Sequence, residues 1–245
     1  MPSAFAQLFL PAECLLCHTL LPFLRSDDVV CAGCRHRWRA VRPPWCERCG
    51  QPEPHFGPCR LCREWVPELE RVRSAVWLDA PARRPVHALK YGGMPRIARD
   101  LAAVMVRHLP APPPGAALIP VPLAPGRMAR RGFNQSEVLA RALGTAWRLP
   151  VLRDVLARVR ETATQTTLTP AARLANVAEA FRTRSGEVGA RNGSAFRVPT
   201  STLVLVDDVF TTGATIAAAA QALAKGGATH IAAVTFGRAV IPDFT

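Results

Sequence analysis

Four Cys-x-x-Cys pairs open the chain: Cys14/Cys17, Cys31/Cys34, Cys46/Cys49 and Cys59/Cys62. They account for all eight cysteines. A two-residue gap turns both sulfurs of a tight knuckle toward one point, and two knuckles complete a tetrahedral four-thiolate site. The sequence therefore predicts two zinc sites. The gaps between successive pairs are 13, 11 and 9 residues, each short enough for a ribbon hairpin. The simplest pairing is sequential, Cys14/Cys17 with Cys31/Cys34 and Cys46/Cys49 with Cys59/Cys62; a cross-braced pairing of alternate knuckles stays open. A disulfide scaffold suits a short secreted protein rather than a chain without an export signal, and no βαβ pattern surrounds any pair as a redox motif would require. Four thiolates leave no open coordination position, so both metals read as structural, supplying much of the folding energy of a proline-scattered region. Contact with nucleic acid or a protein partner is a further role for the ribbons.

The second chemical stretch is "LVLVDDVFTTGAT", residues 203 to 215. Four apolar residues lead into Asp207 and Asp208, and the turn Thr211-Thr212-Gly213-Ala214-Thr215 then opens a helix. In an open α/β sheet, ligands bind beyond the carboxyl ends of the strands. A helix mouth there offers free backbone N–H groups and a positive dipole end, with three threonine hydroxyls nearby. That is an anion cradle, most naturally for phosphate. Adjacent carboxylates only accept hydrogen bonds and need donors. A ribose 5-phosphate has vicinal hydroxyls at one end and an anion at the other, and magnesium can share the carboxylates. The stretch lacks the glycine and lysine pattern of a P-loop and the Gly-x-Gly-x-x-Gly of a dinucleotide fold. Turn chemistry alone explains an acid pair or a helix entry singly, but poorly explains both at this spacing.

A frame must hold these groups. "RVRSAVWL" (71–78) reads as a strand, followed by the Gly92-Gly93 turn and a helix on Ile97, Leu101, Val104 and Leu109. "PAPPPG" (110–115) is a stiff connector. "ALIPVPL" starts a second strand, and "QSEVLARALGTAW" supplies a helix capped by Asn134 or Ser136. The intervening "APGRMARRGFN" reads as a loop, polar and glycine-marked, and is a candidate site. "TPAARLANVAEAF" looks helical from Pro170, and residues 184–195 read as a flexible surface excursion. "STLVLV", "ATIAAAAQALAKGG" and "HIAAVTF" follow as strand, helix and strand. His87 and His108 read as surface or partly buried residues rather than catalysts. Strands alternating with helices predict an α/β fold with a parallel sheet covered on both faces.

At 245 residues the chain accommodates one ordinary domain and one small one, and the division falls at 1–66 and 67–245. The formal charge is +13, and Lys90 and Lys225 are its only lysines. Arginine suits phosphate contacts, so this balance permits a phosphorylated ligand or nucleic acid without choosing between them. Loading two four-thiolate zinc sites lowers the charge to about +9, and most of the excess lies beyond the cysteines. The apolar first 24 residues have no basic leader, and Pro11, Glu13, His18 and Pro22 interrupt them. The sequence predicts a cytoplasmic protein with no membrane span.

The stretch 203–215 resembles the phosphoribosyl pyrophosphate (PRPP) signature of the type I phosphoribosyltransferases. Together with "IPVPL", "RRGFNQSEVLA", "RETATQTTL" and the cysteine knuckles, the chain resembles the ComF/GntX family over nearly its whole length. The resemblance implies a type I phosphoribosyltransferase-like sheet with an N-terminal double zinc ribbon. It implies that Asp207 and Asp208 hold the ribose hydroxyls, and that Thr211, Thr212, Gly213, Ala214 and Thr215 hold the 5′-phosphate. "PVPL" with Arg127 and Arg131 takes the place of a pyrophosphate loop. Lys90, in "LKYGG", and Arg160, Thr162, Gln165 and Arg173 become candidates for a loop closing over the pyrophosphate. Magnesium accompanies PRPP. The implied reaction is displacement of pyrophosphate by a nitrogen nucleophile. The alternatives are a PRPP-binding regulator without turnover, and a DNA-uptake accessory whose partners are single-stranded DNA or uptake proteins. No base-reading motif identifies an acceptor.

Overall fold

A computed structural model describes residues 12–22, 28–52, 59–160, 180–183 and 202–239. The chain runs α1 (Ala32–His36), β1 (Leu69–Trp77), α2 (Ala80–Tyr91), a 3-10 turn (Pro95–Ile97), α3 (Ala98–His108), β2 (Ala117–Pro120), α4 (Pro125–Arg131) and α5 (Gln135–Trp147). It continues with β3 (Leu156–Arg158), β4 (Phe181–Thr183), β5 (Leu203–Phe210), α6 (Ala214–Lys225) and β6 (Ile231–Arg238). The main sheet is parallel in the order β1-β6-β5-β2, and β3 and β4 form a separate antiparallel pair.

Leu203 to Val206 are apolar at every position because both faces of β5 are covered. Leu203 and Leu205 join one core with α6, Ile231, Ala233 and Phe181; Val204 and Val206 join the other with α3, α5 and Phe236. All four are at most 1% exposed, and each full burial of such a side chain contributes about 1.5–3 kcal/mol. The helices show the matching one-sided pattern: α3 buries Ala98, Leu101, Val104 and Met105, and α5 buries Leu139, Ala140 and Leu143.

The cysteine-rich segment closes one edge of this sheet. Residues 39–48 run beside β1: Val41 N–H donates to the Ala75 carbonyl, Trp77 N–H to Arg39 and Val72 N–H to Arg48. An otherwise open strand edge is thereby paired. Cys14 and Cys34 pack into the core beneath α3 and α5, while Cys49 and Cys62 pack into the core beneath α6. The first attachment is also ionic. Asp100 of α3, 1% exposed, accepts from Arg35 Nη1 at 2.6 Å and from the Val29 N–H at 2.9 Å. Burial holds this carboxyl above its ordinary range even though Val29 and Arg35 pull it down. Trp38 meets Phe236 edge-on, with centroids 5.2 Å apart.

Three sequence expectations need correction. "APGRMARRGFN" contains a helix, α4, with Pro125 in its first turn and Gly132 closing it at φ 79°. It buries no residue, so it leaves no apolar stripe to find. A further helix, α2, precedes the Gly92-Gly93 turn; the Asp79 side chain caps it by accepting from Ala82 N–H, and Pro85 stands inside it. The third concerns the acid pair, which lies within β5 rather than beyond it, because the ladder with β6 continues to Phe210↔Arg238. The expected helix from Pro170 and the excursion at 184–195 lie outside the described residues. Among the described residues no helix is long and apolar enough to cross a membrane.

Candidate functional site

The cysteines assemble in the sequential pairing. Cys14, Cys17, Cys31 and Cys34 form one cluster and Cys46, Cys49, Cys59 and Cys62 the other, with the four sulfurs of each within 4.8 Å of one another. Individual Sγ separations of 3.6 Å (Cys17–Cys31, Cys49–Cys59) and 3.7 Å (Cys46–Cys62) match the edge of about 3.8 Å that a tetrahedron with Zn–S bonds of about 2.3 Å demands. Backbone N–H groups already point at the sulfurs: Cys14 Sγ accepts from Leu16 and Cys31, and Cys31 Sγ from Cys34. Burial, first among the causes, raises the Cys49 and Cys62 thiols above their ordinary range, and a bound cation has to displace their protons. The donor set is soft, tetrahedral and closed, as a structural zinc site requires.

The acid pair sits where the sheet opens. β2 stops pairing with β5 at Pro120↔Val206, whereas β6 stays paired to Phe210. From Asp207 onward, β5 therefore has one strand neighbour and borders a cleft. Asp207 Oδ1 accepts from Ser136 Oγ at 2.8 Å and from the Asp208 N–H at 2.9 Å. Ser136 is placed by Asn134, which caps α5 by accepting from Ser136 N–H while its amide donates to the Val121 carbonyl at the exit of β2. "FNQSE" thus ties the end of β2, the start of α5 and the acid pair together. Lys90, from the last turn of α2, brings Nζ to 2.9 Å from Asp208 Oδ2 in an ion pair.

The electrostatics follow. Burial and then the Asp208 charge push Asp207 up to about 7, against the opposing pull of Lys90, Ser136 and the Asp208 N–H. For Lys90, burial works against the charge, but Asp208 and Asp207 more than offset it and raise its pKa. Two carboxylates share one lysine in a poorly hydrated place. They are hard oxygen donors suited to magnesium and to sugar hydroxyls.

The turn after β5 is built for close approach. Gly213 caps α6 at φ 78° and has no side chain with which to accept from the first N–H groups of that helix. The Thr212 hydroxyl is buried without a hydrogen-bond partner among the described residues, and a buried polar group of this kind calls for one. On the far side of Lys90 a cavity of about 600 Å³ is lined by Lys90, Tyr91, Arg127, Arg130, Arg131 and Gln135, among others. Arg131 stacks over Tyr91 at 5.3 Å and donates to the Gln135 side chain.

Asp207, Asp208, Lys90, Arg127, Arg131 and the Thr211–Thr215 turn are therefore neighbours at one end of the sheet. Arg160 is exposed just beyond β3, and Thr162, Gln165 and Arg173 lie outside the described residues. Sequence reasoning missed two contributors. Ser136 was legible only as a cap, since its partner Asp207 is 71 residues away, and Tyr91 has no spacing signal at all.

Comparison with known proteins gives the context. Residues 5–63 match the double zinc ribbon domain. The chain is 34% identical to "DNA utilization protein YhgH" of Salmonella typhi over 92% of its own length and 96% of the relative's. It is 27% identical to "Competence protein F" of Haemophilus influenzae, covering 91% and 95%, and 26% identical to "Competence protein ComFC" of Bacillus subtilis, covering 91% and 93%. With two four-cysteine zinc sites attached to a parallel α/β sheet, and relatives of this kind along nearly its full length, the chain belongs to the ComF family.

Proposed function

We propose that this protein binds PRPP with magnesium at the end of β5 and transfers its phosphoribosyl group to a nitrogen acceptor, in the service of DNA handling. The observation that carries the reading is the buried Asp207–Asp208 pair, with Lys90 paired to Asp208, followed at once by a helix mouth with a threonine hydroxyl that has no hydrogen-bond partner among the described residues. In this reading the acids accept from the ribose 2- and 3-hydroxyls. The Thr211–Thr215 turn receives the 5′-phosphate through backbone N–H groups and the Thr212 hydroxyl. Lys90, Arg127 and Arg131 face the pyrophosphate. Asp207 and Asp208 would hold magnesium, which would neutralise charge on the leaving pyrophosphate. The nitrogen lone pair forms the new bond to C1 as the C1–O bond breaks, its electron pair leaving on pyrophosphate, and the displaced proton passes to water. The protein contributes position and positive charge rather than covalent chemistry.

The test is pyrophosphate release from PRPP and magnesium in the presence of a panel of nitrogen bases, with the wild type beside Asp207→Asn/Asp208→Asn. Release by the wild type alone supports transfer. Saturable PRPP binding with no release for any base reduces the reading to a regulator without turnover.

A second reading has its own observation. Arg35, His36, Arg39, Arg42, Arg107 and His108 line a groove of about 540 Å³ between the first ribbon and α3, with Trp38 in its wall. Arg35 and Arg39 already pair with Asp28, Asp100 and Asp79. Arg42 and Arg107 have no ion pair among the described residues. Burial first, and then the charges of Arg107 and Arg42, hold His108 below its ordinary range. Given that relatives carry DNA utilization and competence names, single-stranded DNA suits this groove. Arg42→Glu/Arg107→Glu should weaken oligonucleotide binding and flatten its salt dependence by about two phosphate contacts; unchanged binding removes the reading.

A further inference from the structure

The second zinc site lies directly behind the turn that follows the acid pair. Gly213, left-handed at φ 78°, is walled by two aromatic rings: a Cβ there would stand 2.7 Å from Trp65 Cζ2 and 2.8 Å from Phe210 Cζ. Each ring is tied to a different knuckle of the second cluster. Trp65 donates its backbone N–H to the Cys62 carbonyl at 3.2 Å. Phe210 lies under the Arg238 guanidinium, 4.4 Å from its ring centroid. That guanidinium, on a residue 1% exposed, donates to the Cys49 carbonyl at 2.9 Å and to Gln51 Oε1 at 2.6 Å. Arg48, between Cys46 and Cys49, locks the same assembly by donating to the carbonyls of Cys62, Trp65, Val66 and Leu69. The first cluster packs into the opposite core and is joined to α3 through Arg35 and Asp100.

We infer that metal in the second cluster, and not in the first, sets the shape of the Thr211–Thr215 turn, with Trp65, Phe210 and Arg238 as the positioning residues that carry the constraint. The knuckle carbonyls are in place only when the cysteines are gathered around an ion. Without it, Arg238 loses its acceptors, Phe210 and Trp65 lose their fixed positions, and Gly213 loses the walls that hold it left-handed. One consequence rests on the proposed function: metal loading and binding of a ribose 5-phosphate at the turn are linked, and linkage is reciprocal, so the ligand must tighten metal binding at the second cluster.

The test compares full-length zinc-loaded wild type with Cys59→Ser/Cys62→Ser and with Cys14→Ser/Cys17→Ser, reading backbone hydrogen exchange in peptides covering residues 209–217. Loss of the second site should speed exchange there by about tenfold or more, and loss of the first by less than about twofold. If the cysteine variants do not fold, Arg238→Met in protein retaining two zinc ions per chain should give the same acceleration, because it cuts the link and spares the metal. Equal exchange in both cysteine variants, or unchanged exchange in folded Arg238→Met, overturns the inference. Zinc transfer to a chromogenic chelator, with and without ribose 5-phosphate, then separates the two claims. Less zinc transferred at equilibrium with the sugar phosphate present, a difference lost in Arg238→Met, extends the coupling to the ligand. Faster exchange without any sugar phosphate binding to loaded wild type leaves the inference standing and removes the PRPP reading.

Discussion

Asp207→Asn should make the protein more stable while removing what the site is for. Asp207 is 9% exposed and is pushed from an ordinary 3.8 to about 7, first by burial and then by the Asp208 charge. Because its folded pKa is raised, its stability contribution is fully present below pH 3.8 and is lost as pH rises through 7. Above that window the folded state holds an ionised group that the unfolded chain would solvate better. A rise of about three units corresponds to about 4 kcal/mol lost at pH 8. Asparagine keeps the oxygen that accepts from Ser136 and the Asp208 N–H, but its amide N–H₂ needs an acceptor, which reduces the net gain to about 2–4 kcal/mol. Urea unfolding of wild type and variant at pH 8, 6.5 and 5 measures it. The gap should be largest at pH 8 and shrink by about 2–3 kcal/mol on going to pH 5. A variant that is destabilised at pH 8, or a gap independent of pH, refutes the claim that Asp207 is held ionised at a cost.

Other perturbations discriminate further. Gly213→Ala places a Cβ against Trp65 and Phe210 in a left-handed residue, and should cost about 2–4 kcal/mol in urea unfolding and abolish ligand binding. Asp100→Ala leaves the Val29 N–H without its acceptor and Arg35 with Asp28 alone beneath the first ribbon, with an expected loss of about 2–4 kcal/mol; a loss below about 1 kcal/mol would mean water replaces the carboxylate. Gly144→Ala drives a Cβ to 2.8 Å from Val151 Cγ2 and 2.9 Å from the Leu149 carbonyl, and should lower stability by about 1–3 kcal/mol with no change in zinc content. Zinc retention against a chelator should weaken as pH falls, since protons compete for thiols that burial has already raised at Cys49 and Cys62.

The chemistry of this chain was more legible than its connectivity. Knuckle spacing made sequential cysteine clusters the simplest pairing, because a ribbon closes locally, but only the fold removes the cross-braced one; an apolar run ending in acids marked β5 because both faces of that strand are covered. Helix α2 escaped notice because Pro81 and Pro85 signal a break, although Asp79 caps the helix and Pro85 is buried within it. α4 escaped because seven residues without a buried face carry no period. The contacts that assemble the site, Ser136 to Asp207, Lys90 to Asp208 and Arg238 to Cys49, span 71, 118 and 189 residues. They depend on which strands become neighbours, and nothing in local composition specifies that.

The most direct measurement is a calorimetric titration of zinc-loaded protein with PRPP and magnesium at pH 8, wild type against Asp207→Asn/Asp208→Asn. Saturable binding by the wild type, weakened at least roughly a hundredfold in the folded double variant, is the expected result. Equal affinity in the two proteins, or no binding by the wild type, contradicts the account.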